Sequence, residues 1–394
     1  MTENASSVRR DVIGVVGAGT MGAGIAQVAI EHGHEVVLYD VDEATVGRGL
    51  DRIRVGLGRR PGKGDTADPA AVAWIDQRLA AVRAVVSLED VAGEADWIIE
   101  AALEDLALKQ TVFRTLDAAA DPRVGLATNT SALSVRAIAA ATRHPARVLG
   151  LHFFNPAPVM RLVEVVVTPE TSVALADAAA SLVESWGKVP VRAADQPGFI
   201  VNRVNRPFTL EAMRMLQDGR ASMERIDLVM ERAGFPLGPF EFMDMVGLDV
   251  NLAAAIAIFG ALSAERLRPS PIQQALVDRG RLGRKSGVGF YRYDGERRSG
   301  EPLWPPIGND ELGDHEIVAR IQLAIANEAF HVLSEGVATA EDIDRAMQLG
   351  ANHPHGPIQW ARALGLDRVR RRLEVLVATE GDRFRPAPGI AAAG

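Results

Sequence analysis

The sequence contains no cysteine and no long hydrophobic run among its 394 residues. Without cysteine, a disulfide framework, a thiolate metal site and a cysteine nucleophile are excluded. The longest apolar run, 252–262, is about half of the roughly 20 residues that a membrane helix needs, and the first ten residues are polar. The net charge of −8 disfavours binding to nucleic acid through bulk attraction to phosphate. We therefore expect a cytoplasmic protein with neither a membrane nor a nucleic-acid partner.

Lysine is also scarce, since only four of the 43 basic residues are lysine and arginine supplies the rest. The guanidinium group is planar and weakly hydrated, whereas the lysine ammonium is a compact point charge. Each lysine is therefore a candidate for a position that needs a compact charge, and chance retention on the surface is the alternative. The four are Lys63, Lys109, Lys188 and Lys285.

The residues that are present, 47% hydrophobic and 24% charged, match the profile of a folded globular protein. From about residue 10 to 195, short β-rich runs alternate with alanine-rich helical patterns, which predicts βαβ units around a parallel sheet. After Pro197-Gly198 helical periodicity takes over, so the sequence predicts an α/β domain followed by an all-α region. The predicted strands are 12–16, 36–39, 97–99, 124–127, 148–151, 162–167 and 189–191.

The helical region contains an internal repeat. A set of residues around Glu211 recurs 117 positions later around Glu328, and after one inserted residue the match continues from Pro236 and Pro354. Chance does not place so many identities in one register with a single gap, so the region holds two copies of one helical domain. We predict an α/β domain at 10–195, copy 1 at 196–296, a linker at 297–314 and copy 2 at 315–385.

A glycine-rich motif, Gly17-Ala18-Gly19-Thr20-Met21-Gly22, fits the pattern GxGxxG, which alone is also typical of ordinary flexible turns. Here the motif follows a predicted strand, opens an apolar helix and precedes a second strand that ends in Asp40. This context predicts a Rossmann-type dinucleotide-binding domain, in which the first two glycines permit the turn and the close approach of a pyrophosphate. Because the Asp40 carboxylate accepts hydrogen bonds from ribose hydroxyls and repels a 2′-phosphate, we expect NAD rather than NADP.

A histidine and a glutamate in adjacent predicted strands form a candidate pair. His152 follows the strand at 148–151, and Glu164 lies twelve residues further on in an otherwise apolar strand. Ligands bind at the carboxyl ends of parallel strands, and a carboxylate in an apolar run needs a buried partner. A His–Glu pair is a suitable general base, because the carboxylate fixes the imidazole tautomer and raises its basicity. The alternative is a structural histidine and a glutamate that faces water from an edge strand.

Other polar residues also follow predicted strand ends. Asn129 and Ser131 come after one strand, where they either serve a ligand site or cap the helix that follows. Glu104 and Lys109 come after another strand, where a role at the edge of the cofactor competes with a solvated Glu/Lys pair at a helix start. The residue types alone do not decide between these alternatives.

Asn202 lies where the α/β domain joins the first helical copy. Val201-Asn202-Arg203 recurs in the second copy as Val318-Ala319-Arg320. The flanking residues repeat and the polar residue does not, as expected if the flanking residues hold the fold. The pattern therefore favours a site role for Asn202 in copy 1.

Two nearby histidines, in His353-Pro354-His355, are the candidates for metal ligands. Imidazole is a common zinc ligand. The counterpart of this segment in copy 1 is Phe235-Pro236-Leu237, which has no ligating side chain. We interpret the histidines as decoration of a turn and predict no metal site.

Together these residues resemble the 3-hydroxyacyl-CoA dehydrogenase family over about residues 12–293, because several specific motifs occur in the family's order. The resemblance implies oxidation of an (S)-3-hydroxyacyl-CoA thioester to the 3-ketoacyl-CoA with NAD. The motifs that carry it are His152-Phe153-Phe154-Asn155-Pro156, Pro197-Gly198-Phe199-Ile200-Val201-Asn202-Arg203, Gly238-Pro239-Phe240 and Gly280-Arg281-Leu282-Gly283-Arg284-Lys285-Ser286-Gly287-Val288-Gly289-Phe290-Tyr291.

The resemblance implies a role for each matched residue. His152 takes the proton of the 3-hydroxyl as hydride leaves C3 for NAD, and Glu164 orients His152. Ser131 and Asn202 hydrogen-bond the reacting oxygen or the thioester carbonyl. Family members contact CoA on a helical hairpin where Lys63 falls, although a proline and additional glycines depart from the pattern there. The implied cofactor contacts are Gly17, Gly19, Thr20, Met21, Gly22, Asp40, Glu104, Lys109, Asn129, Asn155 and Lys285.

Two other function classes stay open: a dehydrogenase of a free hydroxy acid or sugar acid, and a non-catalytic NAD-binding or structural relative. The segment 152–156 argues against the first, and retention of all four implied catalytic residues argues against the second. Single-copy family members pair through the helical domain, whereas duplicated copies can pack within one chain. We therefore expect a monomer with an internal pseudo-dimer, or a homodimer.

Overall fold

The computed structural model describes residues 11–59, 68–299 and 311–392. The chain divides into two units between Asp195 and Gln196. The first unit is α/β and the second is mainly helical, which confirms the predicted fold class. Within the described ranges, no single helix has the length and apolar character to cross a membrane, although one sharply bent pair, Pro239–Val246 with Leu248–Leu262, passes by length and composition.

The first unit is built on one eight-stranded sheet. Its strands are β1 (Val12–Val16), β2 (Glu35–Tyr39), β3 (Val82–Val85), β4 (Trp97–Glu100), β5 (Gly125–Thr128), β6 (Val148–Phe153), β7 (Leu162–Val167) and β8 (Val189–Ala194). They lie in the order β3-β2-β1-β4-β5-β6-β7-β8. The sequence does not predict β3, because this short edge strand has an exposed middle, Arg83-Ala84, and therefore no apolar run.

Strand direction changes once in the sheet. β1 to β6 run parallel in the order 3-2-1-4-5-6 that is typical of dinucleotide-binding folds. β7 pairs antiparallel with β6 and parallel with β8, so the sheet is mixed rather than wholly parallel. The reversal places His152 of β6 directly opposite Glu164 of β7. Two residues twelve positions apart thereby face each other across one strand pair.

Helices connect these strands. The helices are α1 (Thr20–Glu31), α2 (Glu43–Gly58), α3 (Pro69–Leu79), α4 (Leu88–Glu94), α5 (Leu106–Ala119), α6 (Val135–Ala139) and α7 (Val173–Ser185), with a 3₁₀ turn at Pro145–Arg147. The apolar faces of three of them, α1, α2 and α7, pack against the sheet and form part of the buried core.

The second unit consists of helices and one hairpin. Its helices are α8 (Val201–Val204), α9 (Arg206–Gln217), α10 (Met223–Arg232), α11 (Pro239–Val246), α12 (Leu248–Leu262), α13 (Pro271–Asp278), α14 (Asp314–Ser334), α15 (Ala340–Gly350), α16 (Pro357–Leu364), α17 (Leu366–Glu380) and α18 (Pro388–Ala391). Three 3₁₀ turns lie at Glu265–Leu267, Arg284–Ser286 and Asp382–Phe384. The long apolar run at 252–262 is part of α12.

The hairpin differs from the sequence-based expectation of no strand after residue 198. β9 (Arg292–Asp294) pairs antiparallel with β10 (Arg297–Ser299) around a turn in which Gly295 has φ of +59°. The predicted linker at 297–314 thus begins with three paired residues. Residues 300–310 lie outside the described ranges, and α14 begins one residue before the predicted start of copy 2.

The helices of the second unit follow the sequence repeat. α10, α11 and α12 have α15, α16 and α17 as counterparts, and the last two pairs have equal lengths of eight and 15 residues. Asp227 accepts hydrogen bonds from the first backbone N–H groups of α11, and its counterpart Asp344 does the same for α16. These carboxylates satisfy N–H groups that have no partner within the helix. The repeated residues therefore hold the same local structure twice.

His353 lies where the two copies meet. Its ring is 5.0 Å from Phe235, its own counterpart, and its Nε2 is 2.8 Å from Asn205 Oδ1. Contact between two equivalent residues is the signature of an approximate two-fold axis. Burial lowers the pKa of His353 to about 3. The interpretation as turn decoration is therefore wrong, because the imidazole is a buried contact between the copies.

Candidate active site

Glycine is present at each of the three motif positions for a different structural reason. Gly17 has φ of +102°, and a Cβ there would lie 2.7 Å from Ala101 O. A Cβ on Gly22 would lie 1.7 Å from Gly17 O, so only glycine lets α1 start against the turn. A Cβ on Gly19 would meet no atom of the chain within 4 Å. Gly19 therefore leaves open the space through which a pyrophosphate approaches the backbone.

The start of α1 differs from the other helices of the first unit. Helices α2 to α7 each begin with an Asp or Ser side chain that accepts a hydrogen bond from the first turn. α1 begins at Thr20-Met21 after Gly19, which has no side chain to do so. The N–H groups of a helix start and the helix dipole attract an anion. This start therefore fits the pyrophosphate of a dinucleotide.

Asp40 is attached to the glycine loop. Its Oδ2 accepts a hydrogen bond of 2.8 Å from Ala18 N, and its Oδ1 accepts one of 2.8 Å from Val41 N. Gly17 N also donates to Tyr39 O at 2.8 Å, which ties the loop to the end of β2. The carboxylate is thus fixed beside the loop, in the position where a ribose diol is recognised in such folds.

The structure brings His152 and Glu164 together. His152 Nδ1 lies 2.6 Å from Glu164 Oε2, and the residues are 6% and 0% exposed. The Phe154 ring lies 4.5 Å from the imidazole. Glu164 is on β7, which is paired on both sides, so the alternative of a glutamate facing water from an edge strand is wrong. A buried carboxylate that holds one imidazole nitrogen is an arrangement suited to general base catalysis.

Lys109 lies in a buried ion pair that the sequence analysis did not identify. Its Nζ is 2.6 Å from Glu100 Oε1 and 3.5 Å from Glu104 Oε2, and the residue is 1% exposed. Glu100 is fully buried at the end of β4, and its Oε2 accepts a hydrogen bond from the Thr128 hydroxyl. The alternative of a solvated Glu104–Lys109 pair is therefore wrong. The apolar neighbours of Glu100 in β4 gave the available signal, since a carboxylate there needs a partner.

Glu104 connects this ion pair to Ser131. Its Oε1 accepts hydrogen bonds from the Thr130 and Ser131 hydroxyls, at 2.7 and 3.2 Å, and from the backbone N–H groups of Ser131 and Ala132. Burial acts to raise the pKa of Glu104, but these donors and the Lys109 charge lower it overall. Glu104 is therefore a carboxylate that holds the segment carrying Ser131.

The two asparagines at strand ends differ in their contacts. Asn129 Oδ1 accepts a hydrogen bond of 2.8 Å from Phe153 N and so links the ends of β5 and β6. Asn155, two residues after β6, is exposed. The alternative that Asn129 or Ser131 caps the next helix is wrong, because α6 begins at Val135 and its capping side chain is Ser134. The segment between β5 and α6 is thereby available for a site.

Lys188 has a structural place that the sequence did not indicate. Its Nζ donates to Ala157 O at 2.6 Å and to Met160 O at 2.8 Å, and the residue is 7% exposed. These carbonyls belong to the connection between β6 and β7. A compact ammonium therefore fixes the connection that joins the His152 and Glu164 strands.

In the second unit, the sequence-predicted residues Asn202 and Lys285 lie on separate elements. Asn202 is partly exposed on α8, and Lys285 lies in a 3₁₀ turn with its Nζ 2.6 Å from Asp249 Oδ1. Burial acts to raise the pKa of Asp249, whereas Lys285 lowers it overall. Lys63 lies outside the described residues. Within the described ranges, no cluster of three or more His, Asp or Glu side chains could hold a metal ion.

The strand order, glycine loop and Asp40 define a dinucleotide-binding protein. The chain belongs to the 3-hydroxyacyl-CoA dehydrogenase family: the model of its NAD binding domain matches residues 12–196, and the model of its C-terminal domain matches 198–293 and 317–392. The protein is therefore an NAD-dependent dehydrogenase of this family, and its cofactor is NAD.

Relatives and solved structures agree with this assignment. The chain is 38% identical to a 3-hydroxyadipyl-CoA dehydrogenase from Escherichia coli over 95% of both proteins. It is 41% identical to the mitochondrial hydroxyacyl-coenzyme A dehydrogenase of Rattus norvegicus over 71% of this chain and 90% of that protein. The crystal structure of a 3-hydroxybutyryl-CoA dehydrogenase from Escherichia coli superimposes with a TM-score of 0.87 and 35% identity, covering 98% of both chains.

Proposed function

We propose that the protein oxidises (S)-3-hydroxyacyl-CoA thioesters to 3-ketoacyl-CoA, with His152 as the general base and Glu164 as its orienting carboxylate. The observation that carries this proposal is the buried 2.6 Å contact between His152 Nδ1 and Glu164 Oε2. NAD, when bound, supplies the hydride acceptor. The C3–H bond breaks as hydride leaves, the 3-hydroxyl loses its proton to His152, and the C3 carbonyl forms.

Glu164 determines which imidazole nitrogen reacts. Because Nδ1 holds a proton toward the carboxylate, Nε2 is the nitrogen that accepts the substrate proton. The imidazolium that results is stabilised by the buried negative charge beside it, as in other carboxylate–histidine pairs. In the reverse direction the same nitrogen returns the proton to the ketone oxygen.

Ser131 and Asn202 are the proposed hydrogen-bonding partners of the reacting oxygen or the thioester carbonyl. Glu104 supports the role of Ser131, because it accepts both the backbone N–H and the hydroxyl of this residue. Such partners accelerate a reaction when they favour the charge that develops in the transition state. We propose cofactor contacts for the glycine loop 17–22, Asp40, Glu104, Lys109, Asn129, Asn155 and Lys285.

An activity assay identifies which acyl chain the protein accepts. The relatives are named for 3-hydroxyadipyl-CoA and 3-hydroxybutyryl-CoA, and the adipyl chain is two carbons longer and ends in a free carboxylate. We propose a CoA thioester as the substrate class and Lys63 as a contact to a CoA phosphate, in the breakdown of fatty acids or aromatic acids. A cytoplasmic location stays a prediction of the sequence.

The test is formation of NADH with a panel of 3-hydroxybutyryl-CoA, longer 3-hydroxyacyl-CoA esters, 3-hydroxyadipyl-CoA and the matching free 3-hydroxy acids. Turnover of thioesters supports the proposal. Turnover of free acids alone would favour a hydroxy-acid dehydrogenase, and NAD binding without turnover would favour a non-catalytic relative.

We expect His152→Gln to lower kcat by about 10³-fold or more, since general base catalysis contributes roughly 10² to 10⁴. Glu164→Gln should also lower kcat, because an amide neither fixes the productive tautomer nor stabilises imidazolium. The dissociation constant of NAD, measured by fluorescence titration, should change little in either variant. Undiminished turnover by His152→Gln contradicts the mechanism.

We also propose that the protein is a monomer in which copy 2 occupies the pairing surface of copy 1. Reciprocal ion pairs support this arrangement, since Arg203 of copy 1 binds Glu328 of copy 2, and their counterparts Arg320 and Glu211 form the same pair in reverse. Isologous dimers have this pattern. Sedimentation equilibrium should give the mass of one chain, 42.2 kDa. A stable dimer at micromolar concentration contradicts this arrangement.

A further inference from the structure

The segment that carries Asn202 is short and is bounded by unusual backbone. α8 has four residues, Val201–Val204, and no side chain caps its start. Gly198 and Phe199 before it have φ of +77° and +45°. Asn205 interrupts the helical pattern between α8 and α9, so α8 is not a continuous part of the longer helix. The orientation of Asn202 therefore depends on what holds its neighbours.

We propose that copy 2 positions Asn202 for the reaction, through contacts of Glu328 and Glu335 with Arg203. This inference rests on the proposed role of Asn202 in substrate binding. Copy 2 is thus a working part of the active site and not only a structural duplicate. Glu328 and Glu335 are positioning residues, since each acts through Arg203.

Arg203 is the residue next to Asn202, and its guanidinium is fully buried. Its Nε donates to Glu328 Oε1 at 2.8 Å, while Nη1 and Nη2 donate to the two carboxylate oxygens of Glu335 at 2.6 and 2.7 Å. Burial acts to lower the pKa of Arg203, but the two carboxylates raise it overall. A bidentate Arg–carboxylate pair fixes orientation as well as distance. The peptide that joins Asn202 to Arg203 is thereby attached to copy 2.

Copy 2 also contacts the residue that follows α8. Asn205 follows α8, separates it from α9, and has its Oδ1 2.8 Å from His353 Nε2. His353 belongs to copy 2, as do Glu328 and Glu335. Copy 2 therefore contacts two of the three residues that follow Asn202, Arg203 within α8 and Asn205 at its end.

The second copy shows what the same segment does without a site. Ala319 and Arg320, the counterparts of Asn202 and Arg203, lie inside α14, one continuous helix of 21 residues. Arg320 keeps the core contact, with Nε 3.0 Å from Glu211 Oε2. Its other acid is Glu380, which lies 3.1 Å from Nη1 and comes from α17. The bidentate Arg203–Glu335 pair and the interrupted helix at α8 thus occur together in copy 1, which carries Asn202.

The repeat provides a matched control for the experiment. Glu335→Gln removes one of the two charges that hold Arg203, and Glu380→Gln removes one of the two that hold Arg320. Glu335 is 41% exposed at the side chain, so we expect its variant to fold. We expect Glu335→Gln to lower kcat/KM for the 3-hydroxyacyl-CoA substrate about tenfold, because small misplacement of a positioning group can cost up to about a hundredfold. Glu380→Gln should leave kcat/KM within about twofold.

Two further measurements separate positioning from general destabilisation. The dissociation constant of NAD should be the same in both variants, and the thermal midpoint of Glu335→Gln should fall no further than that of Glu380→Gln. In an Asn202→Ala background, Glu335→Gln should lose most of its effect on kcat/KM, because residues that act as a unit are not additive. Glu335→Asp, which keeps the charge, should restore part of the activity.

The outcomes distinguish this inference from the proposed function. No turnover of any CoA thioester by the unsubstituted protein rejects the proposed function, and the positioning of Asn202 with it. An active protein in which Glu335→Gln and Glu380→Gln lower kcat/KM equally rejects only the positioning by copy 2. The same conclusion follows if the Glu335→Gln effect persists unchanged in the Asn202→Ala background.

Discussion

The two helical copies share the residues that hold their helices together and differ at residues proposed to serve the site. Both copies keep the aspartate that caps an internal helix, at Asp227 and Asp344, and both keep the arginine that crosses to the other copy. Copy 1 carries Asn202 where copy 2 has Ala319, and the segment 280–299 that follows α13 in copy 1 contains Lys285 and the β9–β10 hairpin. The repeat therefore preserves residues that hold helices together, whereas Asn202, a proposed site residue, is replaced by alanine in copy 2.

Two carboxylates of copy 1, Asp227 and Asp244, anchor the segment 280–299. Asp227 accepts the Tyr291 hydroxyl at 2.8 Å and lies 3.2 Å from Arg298. Asp244 accepts the backbone N–H groups of Phe290 and Tyr291, and its counterpart in copy 2 is an arginine, Arg362. Burial raises the pKa of Asp227 to about 7. One repeated residue thus caps a helix in both copies and supports the site segment in copy 1.

The largest expected difference between the copies is at this aspartate. Asp227→Ala should lower the free energy of unfolding by about 2–4 kcal/mol, because it removes both the cap of α11 and the acceptor of the buried Tyr291 hydroxyl. Asp344→Ala should cost about 1 kcal/mol, the usual loss of a helix cap. Urea unfolding measures both, and Asp344→Ala is the matched control. Equal losses would contradict a site-supporting role of Asp227.

Most strands of the first unit can be predicted from the sequence, because the predicted strands before Asp40 and His152 are apolar runs followed by polar residues. The motif glycines predict the turn after β1, and the internal repeat predicts the two helical copies of the second unit. The sequence does not give β3, whose middle is exposed, or the direction of β7, because an apolar run is the same in either direction.

The partners of the buried charged residues do not follow from the sequence. Glu100 pairs with Lys109 inside the first unit, and Arg203 pairs with Glu335, 132 residues away. Charge pairing between such positions depends on how the helices pack, which composition and spacing do not specify. A charged residue in an apolar run does signal that a buried partner exists, but it does not name the partner.

A smaller and pH-dependent effect is expected at the contact between the copies. The pKa of His353 is lowered to about 3 by burial, below its value of about 6.5 in an unfolded chain. The neutral imidazole therefore contributes stability that is fully present above pH 6.5 and is lost as the pH falls from 6.5 toward 3. At pH 5 the loss is about 2 kcal/mol.

His353→Phe gives copy 2 the residue of copy 1 at this position and should remove that acid sensitivity. At pH 7.5 the variant should be about 1 kcal/mol less stable than the unsubstituted protein, because the contact with Asn205 is lost. At pH 5 it should be the more stable of the two by urea unfolding. Asn205→Ala, which keeps His353, should stay acid-sensitive. Parallel pH profiles for the histidine and phenylalanine proteins would show that His353 does not titrate in this range.

The smallest expected effect comes from giving copy 2 the polar residue of copy 1. Ala319 is partly exposed and lines an open cavity of about 400 Å³ beside Gln322 and Trp360. Ala319→Asn should therefore fit without a clash and change the free energy of unfolding by only about 0.5 kcal/mol, through helix propensity. Turnover should be unchanged, whereas Asn202→Ala should lower kcat/KM about 10²-fold as for other lost transition-state donors. If Ala319→Asn altered kcat/KM as strongly as Asn202→Ala, the two copies would share the catalytic work, and the functional asymmetry between them would be wrong.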